Sequence, residues 1–214
     1  MTASLTSDLS DTFFARLAAL GKRHATDPEV FLAVWNMEST LNPRIVGSSG
    51  ARGLNGMMPA TLRGLGAPAD FQNLAAEDQL PWIEKLIVMG EKMNGGPFES
   101  AARYEHSNFF PATMGRGSSP DTIVVAKDSA DGREQQAYEA NAALDLDHDG
   151  RITLADIATW IARGRQWPKY QEARARLAAA MNGASSSSPR SARAIGAVLV
   201  GVGLLVAGVA WRSR

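Results

Sequence analysis

Glu38 closes an apolar run, Val30-Phe31-Leu32-Ala33-Val34-Trp35-Asn36-Met37, and is followed by Ser39-Thr40-Leu41-Asn42-Pro43. A short gap leads to Gly50-Ala51-Arg52-Gly53-Leu54-Asn55-Gly56-Met57-Met58-Pro59-Ala60-Thr61, a glycine-rich turn with a Met-Pro step. A carboxylate at the end of a hydrophobic helix sits among walls of low polarity, which disfavour its charged form and raise its pKa. A carboxylic acid held protonated near neutrality can donate a proton to a glycosidic oxygen. The glycines let backbone groups come close to a sugar chain. The plainer alternative is a partly exposed glutamate at a helix C-terminus, a place the helix dipole disfavours for an acid.

A second group of carboxylates lies downstream. Asp145, Asp147 and Asp149 alternate, Gly150 follows, Ile152 comes two residues later and Asp156 ends the run. These fall at positions one, three, five, six, eight and twelve of an EF-hand loop, with the Arg151 carbonyl at seven and Thr153 at nine. Three acids on one hard cation, with glycine at the sharp turn, point to calcium. Asp156 replaces the usual glutamate, and its shorter arm predicts lower affinity. With no partner loop in the sequence, the ion is expected to be structural. The plainer alternative is an acidic turn without an ion. His24, His106 and His148 are too scattered for a zinc site.

The elements that position these groups are mostly helical. Ser10 caps a helix running to about His24, with Phe13, Phe14, Leu17 and Leu20 on one face. Asp27-Pro28-Glu29 starts a second, Pro28 to about Ser39, apolar nearly all round and therefore buried. Asn42-Pro43 stops it. Further helices are predicted over Pro59 to Arg63, Ala75 to about Asn94, Glu99 to about His106, Glu134 to Ala143 and Leu154 to Arg163. Residues 107–133 read as loop, with a short strand possible at Ile123-Val124-Val125, and no convincing sheet is evident. Asn182 to Ser191 is a flexible linker by composition.

The chain has 214 residues, 45% of them apolar, no cysteine and a formal net charge of zero. It is long enough for one ordinary domain with appendages. Without cysteine there is no disulfide framework and no thiolate metal site. No basic patch points to nucleic acid, so no nucleic-acid partner is expected. Met1 to Ser10 is polar and shows no secretory signal. Ala194 to Trp211 is uncharged over 18 residues, ~27 Å as a helix and just enough for a thin bilayer core. Arginines flank it and Trp211 sits at its edge, which predicts a C-terminal transmembrane helix and a lipid membrane as partner.

At Glu38, Ser39, Asn42, Pro43, Gly50, Ala51, Gly53, Leu54, Met58, Pro59 and Thr61 the chain resembles the lysozyme-like lytic transglycosylases. Their signature is Glu-Ser, Asn-Pro, then Gly-Ala-x-Gly-Leu-x-Gln-x-Met-Pro-x-Thr. The family's glutamine is Gly56 here, with Asn55 one residue earlier as a substitute. Its later Ala-Tyr-Asn-Ala-Gly motif is echoed by Ala102-Arg103-Tyr104-Glu105-His106. Leu65-Gly66, Gln79-Leu80-Pro81-Trp82, Pro111-Ala112 and Tyr138-Glu139-Ala140-Asn141 are similar to phage structural variants of the domain. The resemblance spans roughly residues 28 to 160.

The resemblance implies that Glu38 protonates the bond between N-acetylmuramic acid and N-acetylglucosamine in peptidoglycan. The same carboxylate then acts as base on the muramic C6 hydroxyl, closing a 1,6-anhydro ring. Ser39, Asn55, Gly56, Met58 and Tyr104 are its expected sugar-binding residues. A hydrolytic lysozyme, an alternative, would need a second carboxylate, and Asp70 and Glu77 are the nearest downstream acids. The expected fold class is mainly α: a lysozyme-like helical domain of the goose-lysozyme or SLT type over residues 1–133, with its core from about residue 10. An EF-hand-like extension follows over 134–181, a linker over 182–193 and a transmembrane helix over 194–211. The expected setting is a phage particle that carries the enzyme, anchored in a virion or host inner membrane and in contact with other virion proteins. A catalytically weak virion structural or ejection protein and a bacterial tail-anchored enzyme are the other readings.

Overall fold

The computed structural model describes residues 4–185. Helix α1 (Asp11–Arg23) begins where the Ser10 hydroxyl accepts the Phe13 N–H at 3.0 Å, and it buries Phe13, Phe14, Leu17 and Leu20. Helix α2 (Pro28–Ser39) begins where Asp27 accepts the Glu29 N–H at 2.9 Å, with Pro28 in the first turn. Eleven of its twelve residues are buried, because α1, α5, α7 and α8 all pack around it. The helix ends on Thr40 and Leu41, both left-handed at φ +51° and +55°. A β-branched residue in that region is strained by ~1–2 kcal/mol. Fully buried Leu41 anchors the reversal, which directs the glycine-rich turn back over Glu38.

Helix α3 (Pro59–Gly64) follows that turn, and α4 (Ala76–Asn94) returns along α1. Pro81 lies inside α4 and cannot donate to the Glu77 carbonyl. Arg16 of α1 fills the gap, donating to that carbonyl at 3.1 Å. Gln79, fully buried on α4, staples the turn from behind. Its Oε1 accepts the Leu54 N–H at 3.0 Å, and its Nε2 donates to the Pro43 carbonyl at 2.7 Å. Helix α5 (Ala101–Phe109) is capped by Ser100 and packs on both α2 and α4.

Strand β1 (Ile123–Ala126), helix α6 (Gly132–Ala140) and strand β2 (Arg151–Thr153) come next, then α7 (Leu154–Gly164) and α8 (Pro168–Ser185). The strands pair antiparallel, Ile123 opposite Thr153 and Ala126 opposite Arg151, with an irregularity between Ile123 and Val125. The sheet was not expected. Its second strand is three residues long and lies inside the acidic loop, where alternation has no length in which to show. Ile152, Leu154, Ile157 and Ile161 join the same core as α1 and α2. Gly164 allows α7 to meet α2: a Cβ there would lie 1.9 Å from the Met37 Sδ, and its carbonyl accepts from Asn36 Nδ2 at 3.0 Å. Helix α8 lies along α1 and continues to Ser185, into the segment expected as linker.

The expected fold class, with its C-terminal membrane helix, is corrected to a mainly helical arrangement consistent with the lysozyme-like class. Among the described residues no helix is long and apolar enough to cross a membrane. Helices α4 and α8 reach 19 and 18 residues. However, α4 carries Glu77, Asp78, Glu84, Lys85, Glu91 and Lys92, and α8 carries Lys169, Glu172, Arg174 and Arg176. Hydrocarbon does not accommodate such charge. The membrane-anchored localisation is corrected with it. Residues 194–211 and the rest of the expected linker lie outside the described residues.

Candidate active site

Glu38 occupies the last turn of α2 and is 8% exposed, while Glu105 of α5 stands against it at 4%. Each carboxyl is the other's chief charged neighbour. Burial raises the Glu38 pKa to about 7, against a smaller lowering by the Glu105 side chain. Glu105 is held well above the usual carboxylate range, by burial first and then by the adjacent Glu38 charge. Neither arginine nor lysine contributes to either shift.

Gly56 forms the opposite wall. Its φ is +56°, and a Cβ built there would lie 2.2 Å from Glu38 Oε2. The absence of a side chain is what admits the carboxyl. The turn is closed by paired Arg52 and Met57 backbone bonds at 2.9 and 3.0 Å and by the Gly56 N–H on the Gly53 carbonyl at 3.1 Å.

Asn55 and Tyr104 are brought together, but toward one another. Asn55 Oδ1 accepts from the Tyr104 hydroxyl at 2.7 Å and from Trp35 Nε1 at 2.8 Å, and all three residues are buried. They tie the turn to α5 and α2 behind the carboxyls. Burial, chiefly, pushes the Tyr104 phenol above its ordinary pKa, so it stays protonated. Ser39 is fully buried and donates to the Trp35 carbonyl at 2.8 Å. Met58 is half-exposed at the start of α3.

The next turn of α5 is locked from its other side. Arg103 donates to His106 Nδ1 at 3.2 Å, so the His106 Nε2–H donates to Thr113 Oγ1 at 2.9 Å, and that hydroxyl has the Val124 carbonyl at 2.9 Å. Burial, then Arg103 and Arg116, depress the His106 pKa to about 3, which keeps this relay neutral. Glu105 is thus fixed between two tied neighbours.

Glu105 was not singled out from the sequence, although it lies within the Ala102–His106 echo. The available signal is that α5 follows small Ala101 and Ala102 with polar Arg103, Glu105 and His106 around Tyr104. A helix packed on two sides must turn some of them inward. The two acids considered instead lie elsewhere: Asp70 is exposed, and Glu77 accepts from the Ser10 hydroxyl at 2.8 Å.

In the acidic loop, carboxylate oxygens of Asp145, Asp147 and Asp149 lie within 4.8 Å of one another, and Gly150 turns at φ +86°. Asp145 is buried, accepting the Tyr138 hydroxyl at 2.6 Å and the Gly150 N–H at 2.9 Å. Arg151 opens β2, with its N–H on Asp149 Oδ1 at 2.8 Å. Asp156 stands apart from the three. It completes the capping box of α7, accepting the Thr153 N–H at 2.9 Å and hydroxyl at 2.6 Å on Oδ2 and the Leu146 N–H at 3.3 Å on Oδ1.

Residues 17–80 match the family model of the transglycosylase SLT domain. The match runs from α1 into α4 and includes Glu38 and the whole glycine-rich turn, and it stops before Tyr104 and Glu105. Neither a curated protein nor a solved structure matches the chain. The matched stretch implies lytic transglycosylase chemistry in general and peptidoglycan as the substrate class.

Proposed function

We propose that the protein is a peptidoglycan lytic transglycosylase in which Glu38 is the acid and then the base. The observation that carries this is Glu38 itself: a buried carboxyl at the end of α2, with a pKa near 7, facing a turn whose glycine makes room for it. Protonated Glu38 gives its proton to the oxygen between N-acetylmuramic acid and N-acetylglucosamine, and the bond from C1 to that oxygen breaks. The muramic C6 hydroxyl attacks C1, and its proton passes to Glu38. One proton leaves and one returns, a 1,6-anhydro ring closes, and no water is consumed.

The pairing with Glu105 argues against hydrolysis by two separated carboxyls. Retaining and inverting glycosidases hold theirs roughly 5–5.5 and 6.5–9.5 Å apart. Glu38 and Glu105 are instead each other's chief charged neighbours, both buried, rather than two acids facing each other across an open cleft. Digestion of purified peptidoglycan followed by mass spectrometry tests the reading. Muropeptides one water lighter than the hydrolytic products are expected, and ordinary reducing ends as the main product would overturn it. A phage particle as carrier rests on motif likeness at Leu65-Gly66, Pro111-Ala112 and Tyr138 to Asn141. Proteomics of purified particles tests that part.

Asp145, Asp147 and Asp149 are proposed to hold a structural calcium ion, with the Arg151 carbonyl as a further oxygen. Asp145 is already aligned by Tyr138, and the convergence of three carboxylates fits a hard cation. Asp156 fits less well, since its Oδ2 serves the α7 cap and its Oδ1 already accepts the Leu146 N–H of the loop. The ion would draw the start of the loop together beside the β1–β2 pair. Saturating calcium is expected to raise the melting temperature by roughly 5–10 °C over the chelated protein. Asp147→Asn should remove most of that rise, and equal melting with millimolar calcium and with chelator would refute the site.

A further inference from the structure

We infer that Glu105 is a positioning residue that shares a proton with Glu38, a neutral carboxylic acid whose O–H donates to the Glu38 carboxylate as that carboxylate forms. The inference rests on the reading of Glu38 as the acid and base.

The geometry points this way. Glu105 is buried on α5, which packs on α2, and α5 is tied down at both neighbouring positions, Tyr104 to Asn55 and His106 to Thr113. Its Oε2 is buried and receives no N–H or hydroxyl donor. The Asn108 side chain and Glu38 are the polar groups that act on it. An ionised carboxylate left so would be heavily penalised. Among the described residues the other titratable group facing the pair is the Tyr104 phenol of α5, and α2 contributes Glu38 alone. With no cation from the surrounding elements, two adjacent carboxyls cannot both carry charge, so at least one proton stays on the pair. Glu105, buried and 4% exposed, keeps it, and Glu38, at 8% and beside the glycine-rich turn, exchanges its own.

This arrangement assists the step that is hardest for a buried acid. When Glu38 transfers its proton to the leaving oxygen, a negative charge appears among apolar walls. The Glu105 O–H is already aimed at that charge and need not reorganise. Glu38 then takes the C6 proton and is neutral again. Glu105 keeps its own proton throughout, so the pair ends the cycle as it began.

The test uses the full chain with Glu105→Gln, Glu105→Leu and Glu38→Gln, following kcat/KM against pH together with 13C titration of the side-chain carboxyls. Leucine removes the donor at similar volume: turnover is expected to fall ~10²-fold. The alkaline limb should move up by about one pH unit, since the charged form of Glu38 loses its donor. Glutamine keeps an N–H donor and should retain the limb and stay within about tenfold of the original rate. In Glu38→Gln the Glu105 midpoint should move down, because the neighbouring charge is gone. The inference is overturned by a leucine variant with unchanged rate and limb. Equal damage from glutamine and leucine, or a Glu105 midpoint indifferent to Glu38→Gln, would also overturn it. If the leucine variant does not fold, the glutamine profile and the carbon titration decide. If the unmodified protein cuts no peptidoglycan, the catalytic reading fails, and the titration alone still shows whether the proton is shared.

Discussion

Glu38→Gln is expected to lower kcat by ~10³–10⁴-fold, the upper range for removal of one acid–base group, because this side chain acts in both half-steps. The same substitution should stabilise the fold above neutral pH. In the folded protein the Glu38 pKa is about 7, raised from an ordinary carboxyl value of 4.5. The folded state therefore binds the proton more tightly than the unfolded chain. Stability is fully present below pH 4 and declines as pH rises toward 7. Above 7 the loss is on the order of 3 kcal/mol for this one group. Glutamine has no proton to lose and avoids it, and the Glu105 O–H can still donate to its amide oxygen. Melting curves at pH 8 should rise by roughly 5–10 °C and at pH 4 hardly at all. Retained turnover would remove Glu38 from the chemistry. A gain equal at both pH values would show that the stabilisation is unrelated to the buried proton.

That trade between stability and activity depends on where α2 ends, and this much was legible in the chain. Asp27-Pro28-Glu29 set the start of the helix, and Glu38 falls in its last turn because Asn42-Pro43 stops it close by. The helix runs from Pro28 to Ser39, as expected. Helices α1 and α4 were equally readable, from a serine cap with an apolar face and from a long apolar period ending at Gly95. Glu105 was not, because its meaning depends on α5 crossing α2, a contact between residues 67 positions apart that local spacing does not encode. Asn55 and Tyr104 were readable as polar groups near the site. That they bond to one another, and so support the turn from behind, emerges only once α5 packs. Ser39 is similar: a hydroxyl beside Glu38 in sequence turns back to the Trp35 carbonyl because its face of α2 is sealed. Asp156 fits a metal-loop position by count, yet the same side chain is also three residues after Thr153, the spacing of a capping box. The cap takes Oδ2, and the Leu146 N–H of the loop takes Oδ1.

Gly56 departs most visibly from the sequence pattern the turn resembles, and it provides the sharpest remaining test. Gly56→Ala should reduce turnover by ~10²-fold, the scale expected when a reacting group is displaced by about 1 Å. A methyl group at this position would stand 2.2 Å from Glu38 Oε2, so the carboxyl must move. What must yield is the end of a side chain, so the cost to the fold is mainly that of an alanine at φ +56°, ~1–2 kcal/mol. Gly53→Ala is the control. Its φ is +73°, and its methyl would meet Gln79 Oε1 and Phe71 Cε1, both at 2.5 Å, in the fully buried support of the same turn. That variant should lose the fold before it loses the chemistry, with a drop in melting temperature well beyond that of Gly56→Ala. The two glycines are three residues apart in one turn, yet one makes room for the reacting group and the other for the staple that holds the turn. If Gly56→Ala retains full turnover, the carboxyl is not confined as the structure shows. If its loss of activity merely follows its loss of fold, Gly56 is only a second Gly53. A folded Gly56→Ala protein with little activity and a Glu38 titration moved from its original midpoint is the expected result.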